Sequence, residues 1–257
     1  QVSRRRQLAG NPTTTPIRQL TPAVSHDLIN RPGKSAMSTS YKAAIFDLDG
    51  TLLDTLADIG NAANDVLTDR GHPTHHLDAY RHFIGDGVAT LFKRILPEGV
   101  PTPELVTECA SEFDVTYGRR WNENSRLYPG TEELLNELVQ RSVPIAILSN
   151  KPHDFVGICV EEFLPAWLFD PILGQREGIP RKPDPAGVLE VCAALGVAPE
   201  ECVYVGDSSV DMLTAKRSRA LAVGVAWGFR PVEELIEHGA ARILQTPSQL
   251  LELFGES

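Results

Sequence analysis

Short apolar runs alternate with amphipathic stretches along most of this chain. The first run, Ala43–Phe46, is uniformly apolar, which is typical of a strand that is buried on both faces. Similar runs recur in the second half of the chain, at residues 144–148, 169–173, 202–205 and 221–226. Helices between and after them are expected to begin at four positions, Thr131, Asp184, Pro231 and Pro247. Strands that alternate with helices in this way predict βαβ units and a mainly parallel sheet.

Residues 57–127 lack this alternation and show one helical pattern after another. Ala57–Arg70 has helical spacing and ends before a glycine, which suits the residue after a helix. Val88–Leu96 repeats the spacing, and Thr102 followed by Pro103 predicts the start of a further helix. No strand pattern interrupts this region. We therefore expect a helical insert, residues 57–127, placed after the first strand of an α/β core.

The first 40 residues differ in composition from the rest. They hold six basic side chains and one acidic one, and they are rich in Thr, Ser and Pro without apolar periodicity. This composition is typical of a disordered leader, although an Arg-rich, acid-poor segment also resembles a transit peptide. Because the whole chain carries a formal charge of -10, the remaining 217 residues carry -15. Such an acidic body repels phosphate backbones, so no nucleic-acid partner is expected.

Hydropathy and cysteine usage narrow the class of protein further. No apolar run is long enough to span a bilayer, so no membrane association is expected. The four cysteines are scattered without a C-x-x-C pair, which favours free thiols in a reducing compartment and a cytoplasmic location. The histidines His72, His75 and His76 surround a proline that breaks helical pairing, so a loop is favoured there over a metal site.

The run Ala43–Phe46 ends in two carboxylates that are separated by one leucine. Alternate residues of an extended chain point the same way, so Asp47 and Asp49 share a face. Gly50 then lets the backbone turn without steric cost. Taken alone, this pattern also fits a strand end with two solvated acids. Ligands of open α/β sheets, however, bind at the carboxyl ends of the strands.

Other apolar runs also end in polar residues. One stops at Ser149 and Asn150, Lys182 follows the next, and Asp207 and Asp211 follow the third. Because parallel strands end at one edge of a sheet, we expect these groups to converge. Clustered carboxylates repel one another unless a cation joins them, and oxygen ligands favour Mg²⁺. A lysine and a hydroxyl can hold a phosphate, so the site suits attack by a carboxylate on phosphorus.

Four motifs in this order resemble the haloacid dehalogenase-like superfamily over about residues 41–255. They are Asp47-Leu48-Asp49-Gly50-Thr51, Ser149 after an apolar run, Lys182 before Pro183, and Gly206-Asp207-Ser208-Ser209-Val210-Asp211. The resemblance implies a Rossmann-like, doubly wound parallel sheet, an α/β core made of residues 41–56 and 128–257. It also implies that the helical insert is a small all-helical cap that closes over the site and excludes water.

The resemblance further implies a role for each motif residue. Asp47 would be the nucleophile, and Asp49 would be the general acid/base, whose main-chain carbonyl also binds Mg²⁺. The metal site would draw on four acidic residues, Asp47, Asp49, Asp207 and Asp211. The phosphoryl group would be held by four polar residues, Thr51, Ser149, Asn150 and Lys182. Dehalogenases lack the second aspartate of the first motif, so Asp49 indicates a phosphate ester as substrate, not a haloacid.

Several local strings are similar to those of phosphoglycolate phosphatases. They are Phe83-Ile84-Gly85-Asp86-Gly87-Val88, Tyr128-Pro129-Gly130, Ser149-Asn150-Lys151-Pro152 and Trp227-Gly228-Phe229. Gly85 and Gly87 bracket a loop that could lie over the substrate, while a plain packing role for them is the alternative. One departure from the superfamily lies at the end of the fourth-motif helix, which usually reads Ala-Gly and here reads Ser218-Arg219-Ala220. A left-handed conformation there would cost about 1 kcal/mol.

The most favoured function is a Mg²⁺-dependent phosphatase for a small phosphorylated metabolite, 2-phosphoglycolate above all. The reaction would pass through an aspartyl-phosphate, and the protein would be a monomer or a homodimer. A phosphosugar phosphatase, a pyrophosphatase and a β-phosphoglucomutase-like mutase of the same fold remain open alternatives. A catalytically idle binding module is less favoured, because Asp47, Asp49 and Lys182 are all present.

Overall fold

The computed structural model describes residues 40–255. The predicted leader therefore lies outside the described residues, apart from Ser40. Eight strands are described: β1 (Ala43–Phe46), β2 (Leu53–Asp54), β3 (Arg126–Leu127), β4 (Ile145–Pro152), β5 (Ile172–Gln175), β6 (Cys202–Gly206), β7 (Leu221–Val225) and β8 (Arg242–Leu244). Nine α-helices are described: α1 (Leu56–Asp69), α2 (Tyr80–Phe83), α3 (Val88–Ile95), α4 (Pro103–Arg120), α5 (Thr131–Gln140), α6 (His153–Phe163), α7 (Ala186–Leu195), α8 (Ser209–Ser218) and α9 (Val232–Glu237).

Six of the strands form one parallel sheet in the order β5-β4-β1-β6-β7-β8. The central strand β1 pairs with β4 on one side and with β6 on the other, so Phe46 lies opposite both Ile147 and Val205. The carboxyl ends of these three strands therefore reach the same edge of the sheet. The predicted α/β core with a doubly wound parallel sheet is confirmed.

Both faces of the sheet are covered, which explains the uniformly apolar sequence of β1. Ala44 and Phe46 face a hydrophobic cluster that includes residues of α5 and α6. Ala43 and Ile45 face a second cluster that includes residues of α7 and α8. None of the four side chains is more than 1% exposed. Successive strand residues point to opposite faces, so a strand packed on both sides needs an apolar residue at every position.

Helices α1 to α4 of the helical insert pack around a hydrophobic cluster of their own, which includes Tyr80 and Phe92. Thr102 begins α4 as predicted, since its hydroxyl accepts a hydrogen bond of 3.2 Å from the Leu105 amide. The insert is not helical throughout. Its last residues, β3, pair antiparallel with β2, where the chain enters the insert. Strands of two residues are too short to produce a recognisable sequence pattern.

Two helix starts differ from the sequence prediction. Thr131 is not the N-cap of α5, because Gly130 holds that position with a φ of 86° and Thr131 is the buried first residue of the helix. The N-cap of α7 is Pro185, and Asp184 lies one residue earlier. The Asp184 carboxylate still accepts a hydrogen bond of 2.9 Å from the Ala186 amide, so it keeps its capping role.

The remaining differences lie towards the end of the chain. Residues Pro247–Leu253 form a 3₁₀ helix, and the edge strand β8 was not predicted because it is only three residues long. Arg219 does adopt the left-handed conformation, with a φ of 70°. All four cysteines are buried free thiols, as expected. Among the residues described, none of the helices has the length and hydrophobicity needed to cross a bilayer.

Candidate active site

The polar residues at the carboxyl end of β4 meet those that follow β1, β5 and β6 at one edge of the sheet. The Lys182 ammonium lies 2.9 Å from Asp47 Oδ1 and 2.8 Å from Asp211 Oδ1. One carboxylate oxygen from each of Asp47, Asp207 and Asp211 lies within 4.8 Å of the others. Ser149 lines the same cavity as Asp47 and Asp207. The convergence expected from the parallel topology is therefore present in the structure.

Asp47 continues β1 by one residue, since its amide donates a hydrogen bond of 2.9 Å to the Val205 carbonyl. Its Oδ1 accepts a hydrogen bond from the Leu48 amide and also contacts Lys182. Burial raises the pKa of Asp47 to about 7; Lys182 opposes this change, and the nearby Asp211 carboxylate adds to it. The side chain is thus poised between its neutral and charged forms near neutral pH.

Asp207 follows β6, and its Oδ2 accepts a hydrogen bond of 2.7 Å from the Phe229 amide. Burial raises the pKa of Asp207 well above its ordinary value, and the charges of Asp211 and Asp47 raise it further. Gly50 makes this close approach possible. It has a φ of +83°, and a Cβ there would overlap the Asp207 carboxylate. Gly50 is therefore required for two reasons: the turn after β1 needs its positive φ, and the Asp207 carboxylate leaves no room for a Cβ.

Asp211 is fully buried at the start of α8, and both of its oxygens have partners. Oδ1 accepts hydrogen bonds from Lys182 and from the Tyr204 hydroxyl, and Oδ2 accepts from Ser208. Burial alone would lower the pKa of Lys182, but Asp211 and Asp47 outweigh it and raise that pKa well above its usual range. The lysine therefore stays charged at the floor of the site.

The donor set of this acidic cluster fits a divalent cation. Asp47, Asp207 and Asp211 bring three carboxylates together, and Lys182 can neutralise only one of the charges. Burial and the neighbouring carboxylates raise the pKa values of Asp47 and Asp207. A bound counter-ion would stabilise the charged forms of both side chains. The cluster contains only oxygen donors, which suit a hard ion such as Mg²⁺.

Asp49, the fourth predicted metal residue, lies apart from this cluster. Its carboxylate accepts a hydrogen bond of 2.8 Å from the Thr55 hydroxyl and lies 3.1 Å from the Lys151 ammonium. Asp49 still lines the cavity beside Asp47. Its carboxylate is therefore paired with Thr55 and Lys151 and is not part of the acidic cluster.

The residues predicted to hold a phosphoryl group are placed in different ways. Ser149 lines the cavity, whereas the Asn150 amide group donates to the Gly85 carbonyl at 3.1 Å and to the Lys182 carbonyl at 3.2 Å. Thr51 does not border the cavity. It borders a small void next to Leu134, on another side of the core. The structure thus brings Ser149, Asn150 and Lys182 together and leaves Thr51 outside.

The cavity above the acidic cluster has a volume of about 240 Å³. The helical insert supplies one wall, which is largely apolar and includes Ile84, Leu91 and Phe113. Gly85 and Gly87 border the cavity between α2 and α3, with φ angles of 120° and 85°. The loop that contains them is tied to the core by the Asn150 hydrogen bond. Both glycines therefore border the cavity, and a contact of their loop with a substrate stays a prediction.

Several cavity residues were not identified from the sequence, and three of them can contact a polar substrate. Lys151 follows Asn150 on β4, Tyr117 lies on α4, and Arg230 lies in the loop before α9. The ammonium of Lys151 contacts both Asp49 and the Tyr117 hydroxyl. Lys151 stands directly after the second motif and could have been found there. Nothing in the sequence marks Tyr117, because its partner lies 34 positions away.

Comparison with known proteins agrees with this geometry. The haloacid dehalogenase-like hydrolase family matches residues 44–225. A phosphoglycolate phosphatase of Pseudomonas putida is 31% identical over 217 residues, which is 83% of this chain and 77% of the relative. A phosphoglycolate phosphatase of Thiobacillus denitrificans is 32% identical over 200 residues, covering 76% of this chain and 88% of the relative.

A solved structure supports the same relationship. A protein of Lactobacillus delbrueckii subsp. bulgaricus, which carries the provisional name phosphoglycolate phosphatase, superimposes with a TM-score of 0.79. It is 36% identical, and the match covers 84% of this chain and 100% of that protein. The similarity therefore extends over both the sheet and the helical insert.

Proposed function

Because the chain belongs to the haloacid dehalogenase-like hydrolase family, we propose that it is a Mg²⁺-dependent phosphatase of small phosphate monoesters, with 2-phosphoglycolate as the first candidate. The observation that carries the proposal is that Asp47 and Asp207 line one cavity and that Lys182 contacts Asp47 next to it. The names of the relatives from Pseudomonas putida and Thiobacillus denitrificans support the choice of substrate.

Asp47 is the nucleophile in this proposal. The Leu48 amide and Lys182 both contact Oδ1, which holds the carboxylate in place and leaves Oδ2 to attack phosphorus. The new bond between Oδ2 and phosphorus forms as the bond from phosphorus to the alcohol oxygen breaks. The Ser149 hydroxyl, which lines the cavity, and the positive charge of Lys182, which lies next to Asp47, stabilise the charge of the phosphoryl oxygens during this step.

Asp49 is the general acid and then the general base in this proposal. It donates a proton to the departing alcohol oxygen and then removes a proton from the water that attacks the aspartyl-phosphate. That second step restores the Asp47 carboxylate and releases inorganic phosphate. The contact with Thr55 keeps the Asp49 side chain turned towards the leaving group.

Asp47, Asp207 and the Asp49 main-chain carbonyl would hold the metal ion. When bound, Mg²⁺ would supply positive charge that offsets the acidic cluster and lets a phosphate dianion enter. Asp211 supports the site by holding Lys182 and Ser208 in place. We also propose that the helical insert acts as a cap and that the Gly85–Gly87 loop lies over the substrate.

The test is release of phosphate from a panel of esters, with Mg²⁺ and with EDTA. The panel contains 2-phosphoglycolate, a hexose phosphate, pyrophosphate and nitrophenyl phosphate. We expect release that depends on Mg²⁺ and is fastest with 2-phosphoglycolate. A preference for the hexose phosphate or for pyrophosphate would keep the mechanism and reject the substrate. Absence of release from every compound would reject the phosphatase proposal.

A further inference from the structure

Lys151 is a buried cation that none of the roles above uses. It lies on β4, is 9% exposed, and borders the cavity. Its ammonium lies 3.1 Å from Asp49 Oδ1 and 3.2 Å from Asp49 Oδ2, and it donates to the Tyr117 hydroxyl at 3.0 Å. The rings of Tyr117 and Phe155 flank it, with centroids 4.8 Å and 5.4 Å from the nitrogen.

The cavity offers few positive charges besides Lys151. Among its described lining residues, Arg230 is the other cationic side chain. The Arg230 guanidinium donates to the Ile84 carbonyl at 3.0 Å and lies 3.8 Å from Glu234, so it is engaged in joining the insert to the core. Lys182 does not border this cavity and is paired with carboxylates at its floor. Lys151 is therefore the cation best placed to meet a substrate.

A second anionic group on the substrate would need such a cation. Besides the acidic residues of the site, Asp114 and Asp154 also line the cavity. A carboxylate entering beside the phosphate would be repelled by this set of negative charges. The ammonium of Lys151, which is held by Asp49 and by the Tyr117 hydroxyl, places a positive charge inside this acidic cavity.

We propose that Lys151 binds the carboxylate of the substrate and so selects phosphate esters of short 2-hydroxy acids. The proposal rests on the function proposed above. A general acid at Asp49 must lie within about 3 Å of the leaving oxygen, and the Lys151 ammonium is 3.1 Å from the same carboxylate. In 2-phosphoglycolate a single methylene separates that oxygen from the carboxylate group. The carboxylate therefore falls within reach of Lys151 when the leaving oxygen meets Asp49.

The test compares 2-phosphoglycolate with a phosphate ester that lacks its carboxylate group. Ethyl phosphate carries a methyl group where 2-phosphoglycolate carries its carboxylate. We measure kcat/KM for both and take their ratio, so that any general loss caused by disturbing Asp49 cancels. The variants are Lys151→Met, which removes the charge, and Lys151→Arg, which keeps it. Lys151→Gln serves as the second neutral variant if the Met variant does not fold.

Lys216→Met is the matched control. Lys216 is exposed at the end of α8 and does not border the cavity, so this variant removes one positive charge elsewhere. We expect the wild-type protein and the control to prefer 2-phosphoglycolate strongly. The preference should fall by roughly 30-fold or more in Lys151→Met, as for loss of a buried charged partner, and should largely persist in Lys151→Arg.

Two outcomes would overturn the proposal, and they are distinct. If wild type prefers 2-phosphoglycolate and Lys151→Met lowers kcat/KM equally for both esters, Lys151 only positions Asp49 and the substrate proposal survives. If wild type hydrolyses both esters equally well, the carboxylate is not recognised at all. In that case the assignment of 2-phosphoglycolate fails together with the role of Lys151.

Discussion

At the scale of single residues, Lys182 is the one cation that contacts the acidic cluster within residues 40–255. Asp47 and Asp207 are both buried, and the pKa of each is raised by burial and by the neighbouring carboxylates. Lys182 offsets part of this charge through its contacts with Asp47 and Asp211. Removing one negative charge from the cluster should therefore lower the rate of phosphate release without lowering the stability of the fold.

The first prediction concerns Asp47→Asn. An amide does not attack phosphorus, so we expect phosphate release to fall by at least about 10⁴-fold. The fold should persist, because the amide has nearly the same size and relieves repulsion with Asp207 and Asp211. Phosphate release and thermal unfolding of the purified variant provide the two measurements. Activity within tenfold of wild type would refute the nucleophile assignment.

The second prediction concerns pH. The pKa of Asp47 is raised to about 7 in the folded protein, so its protonated form contributes stability that is present at low pH and lost as pH rises through 7. Mg²⁺ needs the deprotonated form. Its affinity should therefore weaken by about tenfold per pH unit below 7, and the gain in Tm on adding Mg²⁺ should be larger at about pH 8 than at about pH 5.5.

Mg²⁺ titrations followed by thermal unfolding at several pH values measure this effect. The Asp47→Asn variant is the control, because it lacks the group that titrates and should show a weaker dependence on pH. An Mg²⁺ dissociation constant that is the same for wild type at both ends of this range would contradict the prediction.

At the scale of elements, Asp58 joins the two ends of the helical insert. It lies in the first turn of α1, and its carboxylate accepts hydrogen bonds from the amides and side chains of Asn124 and Ser125, just before β3. Burial alone would raise the pKa of Asp58, but these hydrogen bonds outweigh it and lower the pKa. The entry and exit of the insert are thus held by one charged group as well as by the β2–β3 pair.

The third prediction is that Asp58→Ala lowers the free energy of unfolding by about 3 kcal/mol. The substitution leaves four donors without their acceptor, and two of them, the amide and the hydroxyl of Ser125, are buried. Asp69→Ala is the matched control: Asp69 is exposed at the end of the same helix, so its loss should change the stability by less than about 0.5 kcal/mol. Urea unfolding measures both variants, and equal stabilities would contradict the bridging role.

At the scale of the whole molecule, hydrogen bonds to main-chain carbonyls join the insert to the core. Asn150 donates to the Gly85 carbonyl, and Arg230 donates to the Ile84 carbonyl. In the reverse direction, Arg81 of the insert donates to the Gly228 carbonyl at 3.2 Å. These contacts place the loop of the insert against the motifs of the sheet and close one side of the cavity.

The fourth prediction concerns Asn150→Ala. Asn150 also bonds both the amide and the carbonyl of Lys182, so its loss should loosen the insert loop and the Lys182 loop together. We expect kcat/KM to fall by about 10- to 100-fold and the free energy of unfolding to fall by about 2 kcal/mol. Asn136→Ala, which removes a surface amide that bonds Trp167, should leave the activity unchanged. Wild-type activity in Asn150→Ala would contradict the prediction.

Local sequence patterns were sufficient for much of this fold. A strand buried on both faces needs consecutive apolar residues, so β1, β6 and β7 could be located by their composition alone. Parallel topology then requires their carboxyl ends to meet, so the sequence alone predicts that Asp47, Lys182 and Asp207 share one site, as the structure has them. Elements of two or three residues, such as β3 and β8, are too short to repeat the two-residue period of a strand, so the sequence does not predict them.

Only the tertiary structure decided which side chains meet across the chain. Lys151 and Asp49 are 102 positions apart, and Asn150 and Gly85 are 65 apart, so no local period relates them. Thr51 belongs to the first motif but turns away from the cavity. The sequence by itself determined the sheet and the edge where its chemistry lies, because both follow from local periodicity. The partners of each charge depend on the packing of the insert against the sheet, which local periodicity does not encode.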